Sequence, residues 1–370
     1  MYNVRIKEIL VGVGIIMLLP GIMALISIPV AIIMDESCAV TGFLYVLVPS
    51  LTIGFVAFKN QPIIKYHLIE IMIIITLGWL VVTLTGSIPL LYIAHYHSTD
   101  ANITKEVMDF KEFINAWFES VSGFTSTGLT MAERESQLTS TIQWWRSFMQ
   151  WVGGIGVIVA INFIYNPKLY TTESFYEDDD TSRVVPSANK NFFHFWWIYL
   201  LLTFFSITLF LASGLNYWEA INHGLSGIAT GGFVITDNSF QEYGIFPKSA
   251  AIVIMILGSL SLAAYHRVLT KKDIKSFFKN NQIRLFFISL VVGYLILIAL
   301  MDFNPWVDSL FQFTSALGTC GFQSAKIPGW PLAVFSSGKR ILTCKNFLPG
   351  ILGFTRGNLM NNMEWHIFFS

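Results

Sequence analysis

The stretch Phe113–Leu129, FINAWFESVSGFTSTGL, decides how the chain is read. It lies between two apolar segments, yet it is too short and too polar to cross a bilayer, which takes roughly 20 apolar residues. Its second half, Ser122-Gly123-Phe124-Thr125-Ser126-Thr127-Gly128, is small and hydroxylated. The pattern returns at Tyr217–Phe233, YWEAINHGLSGIATGGF, and again at Trp306–Phe322, WVDSLFQFTSALGTCGF. Aligned on Ser122, Ser226 and Ser315, an aromatic stands nine residues earlier (Phe113, Tyr217, Trp306). A polar residue stands seven earlier (Asn115, Glu219, Asp308) and a small one six earlier (Ala116, Ala220, Ser309). Six residues later comes glycine each time, Gly128, Gly232 and Gly321, followed by bulky Leu129, Phe233 and Phe322.

The surrounding chain is apolar. Of its 370 residues 54% are hydrophobic and 12% charged, with mean hydropathy +0.59. Soluble domains carry about 25% charged residues, so the composition points to an all-α polytopic membrane protein. Net charge +0 offers no footprint for a nucleic-acid partner. The partner implied by composition is membrane lipid, and 15% aromatic residues suit rings at the interfaces. Cys38, Cys320 and Cys344 are too few and too scattered for a disulfide framework or a zinc site.

Seven spans are expected: Ile9–Met34, Ala39–Phe58, His67–Ala94, Trp144–Tyr165, Phe192–Ser213, Ser249–Leu269 and Ile283–Met301. Arg5, Lys7, Lys59, Lys65, Lys168, Arg183, Lys190 and the basic loop Arg267–Arg284 then fall on one side, which the positive-inside rule makes cytoplasmic together with the N-terminus. The three short elements face outward. The period is span, re-entrant element, span. It gives an N-terminal helix pair (1–66), a first unit (67–165), a second unit (192–269), an incomplete third (283–330) and an atypical tail (331–370).

Each short element suits a half-helix followed by an extended strand. The polar residue near its start can cap free N–H groups. The helix ends near the serine, where its negative dipole end favours a cation. Thr125–Gly128, Ala229–Gly232 and Gly318–Gly321 can then turn carbonyl oxygens inward. Glycine serves where the backbone takes a positive φ or must approach an ion without a Cβ. A ring of such carbonyls replaces the hydration shell of potassium. A single serine–glycine match is common in membrane helices, where small residues allow close packing. Three copies sharing their upstream positions, each following a span, make the ion-ring reading the stronger one.

The motifs GFTSTGL, IATGGF and GTCGF resemble the selectivity-filter loops of the TrkH/TrkG/KtrB/HKT superfamily of potassium transporters. QWWRSFMQWVGGIGVIVAI and MILGSLSLAAYHRVL resemble the helices after its first and second filters, and the leading helix pair resembles that of the TrkH branch. The resemblance covers about residues 1–330. It implies helix–pore loop–helix units around a pseudo-fourfold pore in the plasma (inner) membrane. It further implies potassium as the transported ion, with no organic cofactor and no transition metal. By position, the ion-binding set is Thr125, Ser126, Thr127, Gly128, Ala229, Thr230, Gly231, Gly232, Gly318, Thr319, Cys320 and Gly321. A cytosolic nucleotide-binding, TrkA-like regulator is implied, docking near Asn166–Asn191 and Arg267–Arg284, as is a homodimer. Whether transport is channel-like or a symport is left open.

After Pro331 the pattern departs from the family. Lys339, Arg340, Lys345 and Arg356 interrupt the tail and Pro349-Gly350 breaks it, so no window there spans a bilayer. The closing helix of the third unit and a fourth filter are missing, and a truncated or frame-shifted reading of a longer gene is expected. A shortened paralogue is the rival.

Other residues divide between roles. Glu119 and Asp237 either draw cations to a mouth or are simply solvated. Glu70 is an intramembrane acid, functional by default, or snorkels to the surface; Arg146 has the same ambiguity. Gly153, Gly154 and Gly156 serve hinge or packing. His95 and His97 lack a third metal ligand. Glu177–Asp180 reads as a solvated face or a regulator contact. A membrane-embedded enzyme would need a nucleophile with its base, paired carboxylates or metal ligands, and no such set occurs. A non-conducting structural subunit is the other alternative.

Overall fold

The computed structural model describes residues 5–60, 68–97, 103–164, 188–271, 277–278, 280–300 and 306–325. The chain is an all-α polytopic membrane protein. Among the described residues five helical stretches are long and apolar enough to cross a membrane: Ile6–Ile33, Ser37–Lys59, Ile69–Tyr96, His194–Ala212 and Asn281–Ala299. The expected tail beyond residue 330, the acidic loop and part of the basic loop lie outside the described residues.

In chain order the helices are α1 (Ile6–Ile16), α2 (Leu18–Ile33), α3 (Ser37–Lys59), α4 (Leu68–Tyr96), α5 (Lys105–Asp109), α6 (Phe113–Phe124) and α7 (Ser140–Ile164). They continue with α8 (Ala188–Ala212), α9 (Tyr217–Ile228), α10 (Ile245–Ser259), α11 (Leu262–Lys271), α12 (Asn281–Leu300) and α13 (Trp306–Gly318). The chain divides into two compact units, residues 1–124 with 137–197, and residues 125–136 with 198–370.

In the first unit α6 packs against α4 and α7. At about 1.5 Å per residue its 12 residues reach only ~18 Å, well short of the ~30 Å hydrocarbon core. Polar atoms fix it in place. Ser120 Oγ donates to the Thr83 carbonyl at 2.7 Å, and Trp117 Nε1 to Thr83 Oγ1 at 3.3 Å. The carboxylate of Glu36 caps α7, accepting the N–H groups of Ser140 at 2.8 Å and Thr141 at 3.0 Å. These are donors that a helix start leaves unpaired, and a negative charge suits that end.

Two acids were open questions in the sequence. Glu119 does not face an outer mouth: it is wholly buried and paired with Arg146 of α7 at 2.6 Å, both side chains 1% exposed or less. Glu70 is also fully buried. It accepts from Arg5 Nε at 2.9 Å and from Nη2 at 2.5 Å, so it is held by a fork-shaped pair and does not snorkel. Gly153 is no hinge. The helix α7 runs unbroken through it, and a Cβ there would collide with the Phe124 carbonyl, so its absence lets α7 lie against the end of α6.

In the second unit α9 and α13 each pack on α10, and α12 on α13. The expected single span Ser249–Leu269 is two helices. The chain leaves α10 at Leu260, whose ψ of 150° is extended, and resumes at Leu262. Hydropathy averaged over a span-length window does not register this break, because Ser259 and Ser261 are outweighed by the apolar residues around them. Side chains bond carbonyls near the break: Tyr265 OH donates to the Leu257 oxygen, which the break frees, at 2.8 Å, and Ser259 Oγ to that of Met255 at 2.5 Å.

Removing one partner of a buried ion pair strands the other charge. Arg146→Met is expected to cost roughly 3–5 kcal/mol, whereas Glu119→Met combined with Arg146→Met recovers most of that loss. Thermal unfolding of the detergent-solubilised single and double variants measures the difference.

Candidate functional site

The candidate site is the set of three glycine loops, all within the second unit. Each follows a short helix. The loop Thr125–Gly128 follows Phe124, Ala229–Gly232 follows α9, and Thr319–Gly321 follows α13. Gly318, expected in the third loop, is instead the last residue of α13. A Cβ on it would collide with Ser259 Oγ, so the glycine serves the packing of α13 on α10.

The three loops take one backbone path. Ser126, Thr230 and Thr319 sit in the left-handed region, at φ +48°, +49° and +55°. Two residues on, Gly128, Gly232 and Gly321 also have positive φ, +82°, +90° and +96°. The first of these turns ends a helix. The N–H of Thr230 bonds the Gly227 carbonyl at 3.0 Å, and that of Gly231 reaches back to Ser226 at 2.8 Å. In the third loop Thr319 bonds Ala316 at 3.2 Å and Cys320 bonds Ser315 at 2.9 Å. This paired closure satisfies the last carbonyls of the helix and needs a left-handed residue where glycine is usual. A hydroxyl residue fills that position in all three loops, at a cost of about 1–2 kcal/mol each.

The loops stand edge to edge. A Cβ on Gly128 would strike the Gly231 carbonyl and approach Gly232 Cα to 3.3 Å. A Cβ on Gly232 would strike the Cys320 carbonyl and approach Gly321 Cα to 3.2 Å. The same relation thus passes from the first loop to the second and from the second to the third. The structure brings together residues scattered over nearly 200 positions of sequence. Thr125 and Thr127 hydroxyls bond each other at 2.7 Å, and the anchor Ser315 Oγ accepts the Gly321 N–H at 3.1 Å. Behind the second loop, a Cβ on Gly258 would lie 2.5 Å from the Ile228 carbonyl, so α10 backs the end of α9 in the manner that α7 backs that of α6, where a Cβ on Gly153 would lie closer still to the Phe124 carbonyl.

The capping expected of the polar position holds for one helix. Asn216 and Glu219 form a reciprocal capping box on α9, Asn216 Oδ1 accepting the Glu219 N–H at 2.8 Å. The Asn-x-x-Glu spacing in the sequence was the signal for it. In the first repeat Asn115 Nδ2 donates instead to the Asp109 carbonyl at 2.9 Å. In the third, Asp308 takes the ammonium of Lys248 at 2.9 Å. Asp237 is exposed and accepts the Ser136 N–H at 2.8 Å, tying the loop after the second glycine to the one after the first.

Sequence reading missed His223, which is fully buried among Phe210, Phe240, Tyr243 and Phe322. Burial, then the charge of Glu219, pushes the Tyr243 hydroxyl well above its usual range, so it stays protonated 3.5 Å from His223 Nε2. Outside this unit, His97 Nε2 lies 3.0 Å from Cys38 Sγ and His95 Nδ1 2.9 Å from the Leu91 oxygen. Among the described residues no cluster of three metal ligands occurs.

A family model described as TrkH, cation transport protein, matches residues 64–303. The chain belongs to the TrkH family. This is a family of transport proteins, not of enzymes. An uncharacterized cation transporter of Methanocaldococcus jannaschii is 32% identical over 333 residues, covering 87% of this chain and 64% of that protein. The Trk system potassium uptake protein TrkH of Escherichia coli K12 is 28% identical over 311 residues, covering 78% and 59%. The crystal structure of the potassium transporter TrkH from Vibrio parahaemolyticus shares the fold with a TM-score of 0.74 at 22% identity, over 96% of this chain and 79% of that one. The chain spans between 59% and 64% of the length of these curated relatives.

The two kinds of left-handed position should respond oppositely. Gly232→Ala adds strain and a collision, and is expected to cost at least about 1–3 kcal/mol. Thr230→Gly removes left-handed strain at the price of chain entropy and is expected to be near neutral. Thermal unfolding of both variants in detergent distinguishes them.

Proposed function

We propose that the chain is the ion-translocating subunit of a Trk-type potassium uptake system, with Thr125–Gly128, Ala229–Gly232 and Thr319–Gly321 as selectivity-filter strands. The observation that carries the reading is the threefold recurrence of one backbone path in loops that abut through their glycines. A cation that sheds its water needs a close set of oxygen ligands, and peptide carbonyls supply them without ionised side chains. Residues with positive φ turn successive peptide planes in ways a helix or strand does not. Glycine at the contact edge lets strands approach until their carbonyls could share one ion.

Potassium is the proposed cargo, in keeping with the names of the relatives from Escherichia coli and Vibrio parahaemolyticus. The reading includes a multi-pass plasma-membrane location with a cytoplasmic N-terminus, from the clustering of Lys and Arg. It includes a cytosolic nucleotide-binding, TrkA-like partner on the basic loop and a homodimeric assembly, both by analogy with the family.

Expression in a host lacking potassium uptake is expected to restore growth at low potassium, and Gly128→Asp to abolish that rescue. Rescue that persisted with Gly128, Gly232 and Gly321 all made bulky would remove this reading.

A further inference from the structure

We propose that the third filter strand is positioned, and its ion preference set, by residues of the second repeat: His223, Ser239, Phe240 and Lys248 grip the three residues that follow Gly321. The inference rests on the filter reading above.

The grip is continuous. Phe322 is 1% exposed, and its ring lies 4.9 Å from that of Phe240 and 6.1 Å, edge-on, from the imidazole of His223. Both main-chain polar groups of Gln323 are taken: its carbonyl accepts the Phe240 N–H at 2.7 Å, and its N–H goes to Ser239 Oγ at 3.1 Å. The Ser324 carbonyl accepts from Lys248 Nζ at 3.4 Å, and the same ammonium is paired with Asp308 at the start of α13. The third repeat itself contributes Ser315 Oγ, on the Gly321 N–H, and Gln312 Nε2, on the Ala325 carbonyl at 3.0 Å. These two hydrogen bonds fall on either side of the segment that the second repeat holds, while Phe311 of α13 shares the apolar cluster of Phe322.

The gripping turn is built to be stiff. Ser239 is left-handed at φ +52°, and Thr236 Oγ1 closes the turn on the Ser239 carbonyl at 2.9 Å. Phe240 is fully buried among Phe210, His223, Tyr243, Phe311 and Phe322. Among the described residues His223 Nδ1 is buried without a hydrogen-bond partner, while Nε2 faces the Tyr243 hydroxyl at 3.5 Å. On the cavity-size account of carbonyl filters, a ring that closes in on a smaller ion loses its preference, and whatever keeps a strand from moving inward is part of selectivity. These four are positioning residues, whose contacts are to Phe322, Gln323 and Ser324.

The test uses the protein in liposomes, comparing rubidium with sodium flux. Ser239→Gly deletes the acceptor and suits the positive φ, Ser239→Asn returns an acceptor in a residue that tolerates it, and Lys248→Met releases Ser324. The rubidium-over-sodium ratio is expected to fall about fivefold in Ser239→Gly and in Lys248→Met, the factor one lost hydrogen bond represents. Ser239→Asn should recover part of it. An unchanged ratio in both Ser239→Gly and Lys248→Met overturns the inference. So does an equal loss of both fluxes with the ratio kept, the mark of a purely structural part. A wild type with no rubidium preference sinks the filter reading itself, whereas a wild-type preference abolished by Gly232→Ser but untouched by these variants sinks only the positioning role.

Discussion

Backbone that leaves a helix at membrane depth has to find partners for its peptide groups inside the protein, because lipid offers none. The two helix ends α9 and α13 meet that demand in the same way. The turn at Thr230 and Thr319 folds two N–H groups back onto the last helical carbonyls, and a glycine two residues on redirects the strand. Left-handed threonine is costly, and its recurrence with Ser126 in the first loop marks strain that the surrounding packing holds in place. The return for that strain is a stretch of chain whose carbonyls are no longer committed to a helix.

The rest of the described chain can be understood as support for these ends. Small residues on the following helix back the helix termini directly, Gly153 behind Phe124 and Gly258 behind Ile228. Buried charges lock the surrounding helices by pairing, Glu119 with Arg146 and Glu70 with Arg5. An unpaired charge in such surroundings would cost far more than the pair contributes. Three carboxylates are structural: Glu119 holds an arginine, Glu36 caps α7 and Glu219 closes the box on α9.

The TrkH family match and the geometry of the loops overlap along the chain. The family match covers residues 64–303, which include the first two glycine loops but stop short of the third. The third loop is tied to the second by the recurrent sequence pattern and backbone path, and by contact, through Gly232 against Cys320 and Gly321 and through the grip on Phe322 to Ser324.

The sequence by itself determined that the chain is helical and membrane-embedded, that it repeats, and where the glycines of each repeat stand. Long apolar runs and a recurrent serine–glycine spacing are local signals, and the need for a residue without a Cβ at positive φ is a local need. Only the tertiary structure decided the partners. Nothing in the letters pairs Glu119 with Arg146, breaks α10 at Leu260, or sets Ser239 and Lys248 on the strand of another repeat. Those outcomes depend on which side chains are brought within about 3 Å of each other, and a hydrogen bond or ion pair exists only at that range. A serine in the left-handed region leaves no trace in hydropathy either, because its conformation is imposed by the carbonyls it must satisfy and not by its own preference.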